Sequence, residues 1–172
     1  QEGKWDEALA HYARVSQTDP SQVTLFYEGV ALRRVGRSLD ALRVLDRSGY
    51  VAVIEKGASP DPGVPTTDRA DDLAALCAAA SAEASNRGAW DAARQAGRRS
   101  LALTSAGLTR SPALEAMSRA DEAEGRVPDA LRWTWQSIAE APGSASDVRY
   151  DRLSRLLRRW LGSPALAAFG VL

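Results

Sequence analysis

The sequence predicts an all-α fold, a solenoid of antiparallel helix pairs closed by a C-terminal capping helix. Three observations carry that expectation. Turn glycines stand at Gly3, Gly36, Gly88 and Gly125, and each is followed five residues later by alanine, at Ala8, Ala41, Ala93 and Ala130. The glycines are 33, 52 and 37 residues apart, two intervals near one unit length and a middle one that holds a unit plus an insertion. Between them apolar residues recur at helical spacing, which is what a stacked helical repeat requires.

Residues 1–20 form a half unit. Gly3 to Pro20 reads as one amphipathic helix with Trp5, Ala8 and Tyr12 on it and Asp19-Pro20 as its stop. Residues 21–49 form a full unit: Val23, Phe26, Tyr27, Val30 and Ala31 make one apolar stripe over Gln22 to Val35, Gly36 ends it, and Ser38 is placed to cap a second helix, Leu39 to Ser48. A turn this short makes the two helices pack antiparallel. Residues 50–66 are an insertion. Tyr50 to Ile54 is apolar and β-branched, and Pro60, Pro62 and Pro65 forbid a long helix after it. Two readings stand there, a packed connector that lets the array bend and a strap that closes over a groove as a lid.

Residues 67–105 form the next unit, opened by Thr67 and Asp68 and running through Leu73, Leu76 and Cys77 to Asn86, with Trp90 to Thr104 as the partner helix. Residues 111–142 form the last, with Ser111 as cap and Pro112 in the first helical position, a turn at Gly125, and a partner helix from Pro128 carrying Leu131, Trp135 and Ile138 on one side. Residues 143–172 hold the capping helix, Asp147 to Leu161, and an apolar tail. Ser144 is the expected cap, and Tyr150, Leu153, Leu157, Trp160 and Leu161 are the expected packing stripe.

These residues resemble the tetratricopeptide repeat, a helix-turn-helix unit of about 34 residues whose second helix carries a small residue and an aromatic four later. The resemblance is best at Gly3 to Pro20, fair at 22–49 and 111–142, and weak at 74–105, where the first helix is almost all alanine and serine. It implies a right-handed superhelix whose first helices line a concave groove for a partner protein or peptide. By its positions the groove residues are Val23, Phe26, Val30, Arg33 and Arg34; then Ala75, Ala78, Ala82, Ser85 and Asn86; then Pro112, Glu115, Arg119, Glu122 and Ala123. Val30 and Ala82 stand where members that clamp a terminal carboxylate have asparagine, so that clamp is not expected. A ligand with an apolar anchor beside Phe26 and an acidic flank near Arg33 and Arg34 is.

Composition narrows the function classes. Lysine plus arginine equals aspartate plus glutamate, 22 each, so no bulk field draws in nucleic acid or an acidic membrane. The single cysteine, Cys77, and single histidine, His11, exclude an intrachain disulfide and the Cys/His zinc arrangements. Neither has the partner that a nucleophile or a general base needs, so no catalysis, metal or cofactor is expected. No apolar run reaches the roughly 20 residues that cross a bilayer, and a cytoplasmic protein is the expectation. The chain begins with Gln1 and at once with a helix, which is expected to have had a partner upstream; an apolar edge there is a candidate for self-association. The competing function rests on Arg149, Arg152, Arg155 and Arg159 of the last helix as phosphate contacts on nucleic acid or an anionic surface. Two aspartates share that helix and no aromatic platform accompanies it, so nucleic acid is the lesser expectation.

Overall fold

The computed structural model describes residues 2–64, 69–144 and 147–162. Among them the chain is helical throughout and has no strand. The helices are α1 (Glu2–Thr18), α2 (Gln22–Arg34), α3 (Ser38–Arg47), α4 (Tyr50–Glu55), α5 (Arg69–Asn86), α6 (Trp90–Leu103), α7 (Gly107–Ala123), α8 (Val127–Glu140) and α9 (Asp147–Leu161), with one 3-10 turn at Pro142–Ser144. Each packs on its chain neighbour, and α5 packs on α3 and α7 as well.

Three turns share one backbone solution. Gly36, Gly88 and Gly125 have φ of +79°, +72° and +78°, a left-handed conformation that costs a side-chain-bearing residue and not glycine. The next residue's N–H then closes on a carbonyl five back: Arg37 on Leu32 at 2.9 Å, Ala89 on Ala84 at 2.9 Å, Arg126 on Asp121 at 2.8 Å. That pairing satisfies orphan carbonyls at the end of each first helix and aims the chain into the second. Five residues after each glycine, Ala41, Ala93 and Ala130 are wholly buried. Their partners stand seven before the glycine: Gly29, Ser81 and Ser118. Ser81 donates to the Ala93 carbonyl at 2.6 Å and Ser118 to that of Ala130 at 2.9 Å. At Gly29 a Cβ would lie 3.5 Å from the Ala41 carbonyl and 2.9 Å from the Leu45 side chain, so any larger residue would have to push Leu45 aside.

One hydrophobic core runs from α2 to α7, with Leu32, Leu42, Leu45, Tyr50, Val51, Leu73, Leu76 and Cys77 in it. A second, smaller cluster joins α8 to α9 through Val127, Ala130, Leu131 and Leu156, with Leu153 and Trp160 against it.

The structure departs from the sequence reading at several points. Gly3 lies inside α1, where it forms no turn. Ser38 is the first residue of α3, and its place as cap is taken from afar: the Leu39 N–H donates to Glu83 Oε2 of α5 at 2.8 Å. The insertion begins with a helix, α4, whose Tyr50, Val51 and Ile54 are buried; hydrophobic contact with the core overrides their β-branched preference. Helix α7 starts four residues earlier than Ser111 and holds Pro112 within it. The ring forfeits only the hydrogen bond to the Leu108 carbonyl, and Leu108 is among the most exposed residues, where water can take that acceptor. Ser111 is buried and bonds Ser137 at 2.9 Å.

Trp135 points outward, 63% exposed, while Trp133 donates to Asp121 at 2.9 Å. On α9 the packed side is Arg149, Arg152, Leu153, Leu156 and Trp160; Tyr150, Leu157 and Leu161 are exposed. The outer side of α1 is polar apart from Trp5 and Ala10, so the apolar edge expected there is not present among its described side chains. The helix opening expected at Thr67 and Asp68, the side chain of Ser144 and the apolar tail lie outside the described residues.

Candidate functional site

A cavity of about 520 Å³ opens between α2 and α5. Its wall is built from four helices: Phe26 and Val30 of α2, Leu45 of α3, Tyr50 of α4, and Leu73 and Leu76 of α5, with Arg33, Arg34 and Asp72 at the mouth. The volume falls within the range of ligand pockets, and the surface the cavity exposes is about as polar as it is apolar. Phe26 and Tyr50 lie with ring centroids 5.0 Å apart, so the inserted helix supplies part of the aromatic wall.

The insertion borders this space. Helices α5 and α7 pack side by side, whereas α2 and α5 are not a closely packed pair. Arg33, in the last turn of α2, meets Asp72, in the first turn of α5, at 3.7 Å. By contrast the ends of α5 and α7 correspond, with Arg119 donating to Asn86 at 3.2 Å. The loop after α4 packs along α2. Val64 is buried, the Asp61 N–H donates to Gln22 Oε1 at 2.8 Å, and Tyr27 donates to the Gly63 carbonyl at 3.5 Å.

The predicted groove residues therefore divide. Phe26, Val30, Arg33 and Arg34 line the one cavity. Val23 packs against the core beside Gly63, under the inserted loop. Ala78 is buried and Ala82 is half-buried. Asn86, Arg119 and Glu115 form a polar chain along the neighbouring helices: Asn86 accepts from Arg119, Arg119 pairs with Glu115 at 3.8 Å, and Glu115 pairs with Arg149 of α9. Glu122 accepts from Arg152 at 2.6 Å and lies 3.6 Å from Arg155. Helix α9 thus takes up Glu115 and Glu122 of α7.

The same pairs decide the geometry of the phosphate alternative. Arg149, Arg152 and Arg155 reach protein carboxylates, and of the four only Arg159 is exposed without a carboxylate contact described. The four do not form one outward basic strip. Burial pushes the Arg152 guanidinium down, against the pull of Glu122.

At the cavity mouth two guanidinium groups, Arg33 and Arg34, stand beside the Asp72 carboxylate. Arg34 stacks over the Trp5 ring of α1 at 5.4 Å, and among the described residues the ion pair of Arg33 is the long contact to Asp72, whose side chain is 67% exposed. Asp71 is held elsewhere, accepting from Thr104 at 2.7 Å. Cys77, in the core behind the cavity, is buried, and burial pushes its thiol up to about 12. Among the described residues no group of His, Cys, Asp and Glu has the arrangement of a metal site, and no helix is long and apolar enough to cross a membrane.

Sequence reasoning missed Leu45, Tyr50, Asp72, Leu73 and Leu76 as wall and mouth residues, because the groove positions it used presume first helices in one register. A second, shallower cavity of about 350 Å³ lies among α1, α2 and α3 near Leu9, Glu28, Leu32 and Asp40. Burial raises the Asp40 carboxyl, but the hydrogen bond from Arg37 and the charges of Arg37, Arg43 and Arg87 outweigh it and hold the group below its usual range.

The chain matches no protein-family model, no curated protein and no solved structure.

Proposed function

We propose that the chain is a non-enzymatic protein interaction module, a right-handed superhelix of tetratricopeptide-like hairpins that holds a peptide or helix of a partner protein in the cavity between α2 and α5. The repeated contact between small residues seven before and alanine five after each turn glycine supports the architecture. The observation that carries the function is the cavity itself, in which apolar side chains of α2, α3 and α5 stand beside two arginines. A large apolar side chain entering it gains about 1.5–3 kcal/mol from leaving water, and an acidic residue nearby meets Arg33 or Arg34.

Selection of random peptides on the immobilised protein tests this reading. The expected winners pair a large apolar residue with Asp or Glu and lose binding to a Phe26→Ala, Arg33→Ala, Arg34→Ala variant. Winners that bind the variant as well as the wild type would contradict it.

A further inference from the structure

Asp72 stands at the mouth of the cavity without the geometry of a structural ion pair. Its 3.7 Å contact with Arg33 is too long for a hydrogen bond, and the two side chains are 67% and 42% exposed. Pairs of this kind in high dielectric are weak and easily exchanged. Asp72 lies in the first turn of α5, where a carboxylate is favoured by the helix dipole with or without Arg33. Its neighbour Asp71 is drawn away by the Thr104 hydroxyl, which leaves Asp72, among the described residues, as the acid that lines the mouth beside Arg33 and Arg34.

We infer that Asp72 is a specificity residue, an internal acid that competes for Arg33 with the acidic flank of an incoming apolar-anchored peptide. The inference rests on the reading of the cavity as the partner site. An apolar segment with a neutral flank leaves the Arg33–Asp72 contact in place and gains nothing from the arginines. A segment with a carboxylate next to its anchor replaces Asp72, and Asp72 then repels it across the mouth. The cavity therefore accepts acidic flanks at reduced strength, and the setting of that strength lies in one side chain.

The test uses two labelled, N-acetylated peptides with the same Leu-Phe anchor, one preceded by Asp-Asp and the other by Asn-Asn, and fluorescence anisotropy at fixed salt. Asp72→Asn should tighten the acidic probe about two- to fivefold and leave the neutral probe within about 1.5-fold. In an Arg33→Ala background the same substitution should have a much smaller effect on the acidic probe. Equal changes for both probes, or a weaker acidic probe, would overturn the inference. If Phe26→Ala abolishes binding of both probes while Asp72→Asn alters neither, the cavity reading stands and the role of Asp72 falls. If no version of the protein binds either probe, both fall. Unchanged far-ultraviolet circular dichroism of each variant shows that it is folded.

Discussion

The Ser81 hydroxyl donates to the backbone carbonyl of Ala93 at 2.6 Å, and 37 residues later Ser118 does the same to Ala130 at 2.9 Å. In each case a small polar residue of a first helix sits against a wholly buried alanine of the second, so the crossing point of the hairpin has no room for a larger side chain. Ala93→Leu and Ala130→Leu are expected to destabilise the fold by about 1–3 kcal/mol or more through overpacking, whereas Ser118→Ala should cost about 1 kcal/mol. Urea denaturation of the three variants checks the order.

Helix α3 is capped by a residue 44 positions away, the Glu83 carboxylate that accepts from the Leu39 N–H. Glu83→Ala removes this cap and its pairing with Arg87, with an expected loss of about 1–2 kcal/mol. Glu83→Gln keeps an acceptor and should recover part of the loss. Thermal melts of the pair distinguish the cap from a surface charge effect, which would make the two variants equal.

Gly107 begins α7 where the chain passes over the end of α8, and a Cβ there would overlap the Glu140 carbonyl oxygen. Backbone cannot rotate aside as a flexible side chain does, so Gly107→Ala should destabilise by about 1–3 kcal/mol. Gly143 has open space around its Cα and serves as the control, with Gly143→Ala expected to be near neutral. Similar melting temperatures for the two would contradict the close approach.

Asp40 titrates with a sign that can be stated in advance. Its folded carboxyl lies below the usual value because Arg37 and Arg43 outweigh burial, so it stabilises the fold above its unfolded value near 3.8 and that contribution is lost as pH falls through the folded value. Asp40→Asn should therefore flatten the fall of stability with acid in that range. An acid transition of unchanged steepness would count against the pairing.

Cys77 is buried, with its thiol pushed far above neutral pH. The native protein should resist thiol reagents, and labelling should follow global unfolding, accelerating with denaturant. Rapid labelling in buffer would mean that the core around α5 opens locally.

The turns and the hairpin crossings were legible because they depend on local requirements that few residues meet. Gly36, Gly88 and Gly125 must adopt positive φ, and Ala41, Ala93 and Ala130 must be small. Gly3 carried the same sign without the same cause, since a glycine inside a helix leaves no trace in spacing that separates it from a turn. Ser111-Pro112 resembled a helix start because proline is most at home there, yet α7 holds Pro112 within it near the exposed Leu108, at the cost of one backbone bond. The cavity was legible only by half. Phe26, Val30, Arg33 and Arg34 come from one helix face, but Tyr50 joins them from α4 and Asp72 and Leu73 from the start of α5, which is a matter of tertiary packing that no local pattern encodes.

Chemical-shift mapping on isotope-labelled protein tests the central claim most directly, with the Asp-Asp-Leu-Phe probe as titrant. Perturbations concentrated on Phe26, Val30, Arg33, Tyr50, Asp72 and Leu76, and absent from a Phe26→Ala variant, are the predicted result. Saturable shifts that fall instead on α9 around Arg155 and Arg159, or that persist in the variant, would contradict the account.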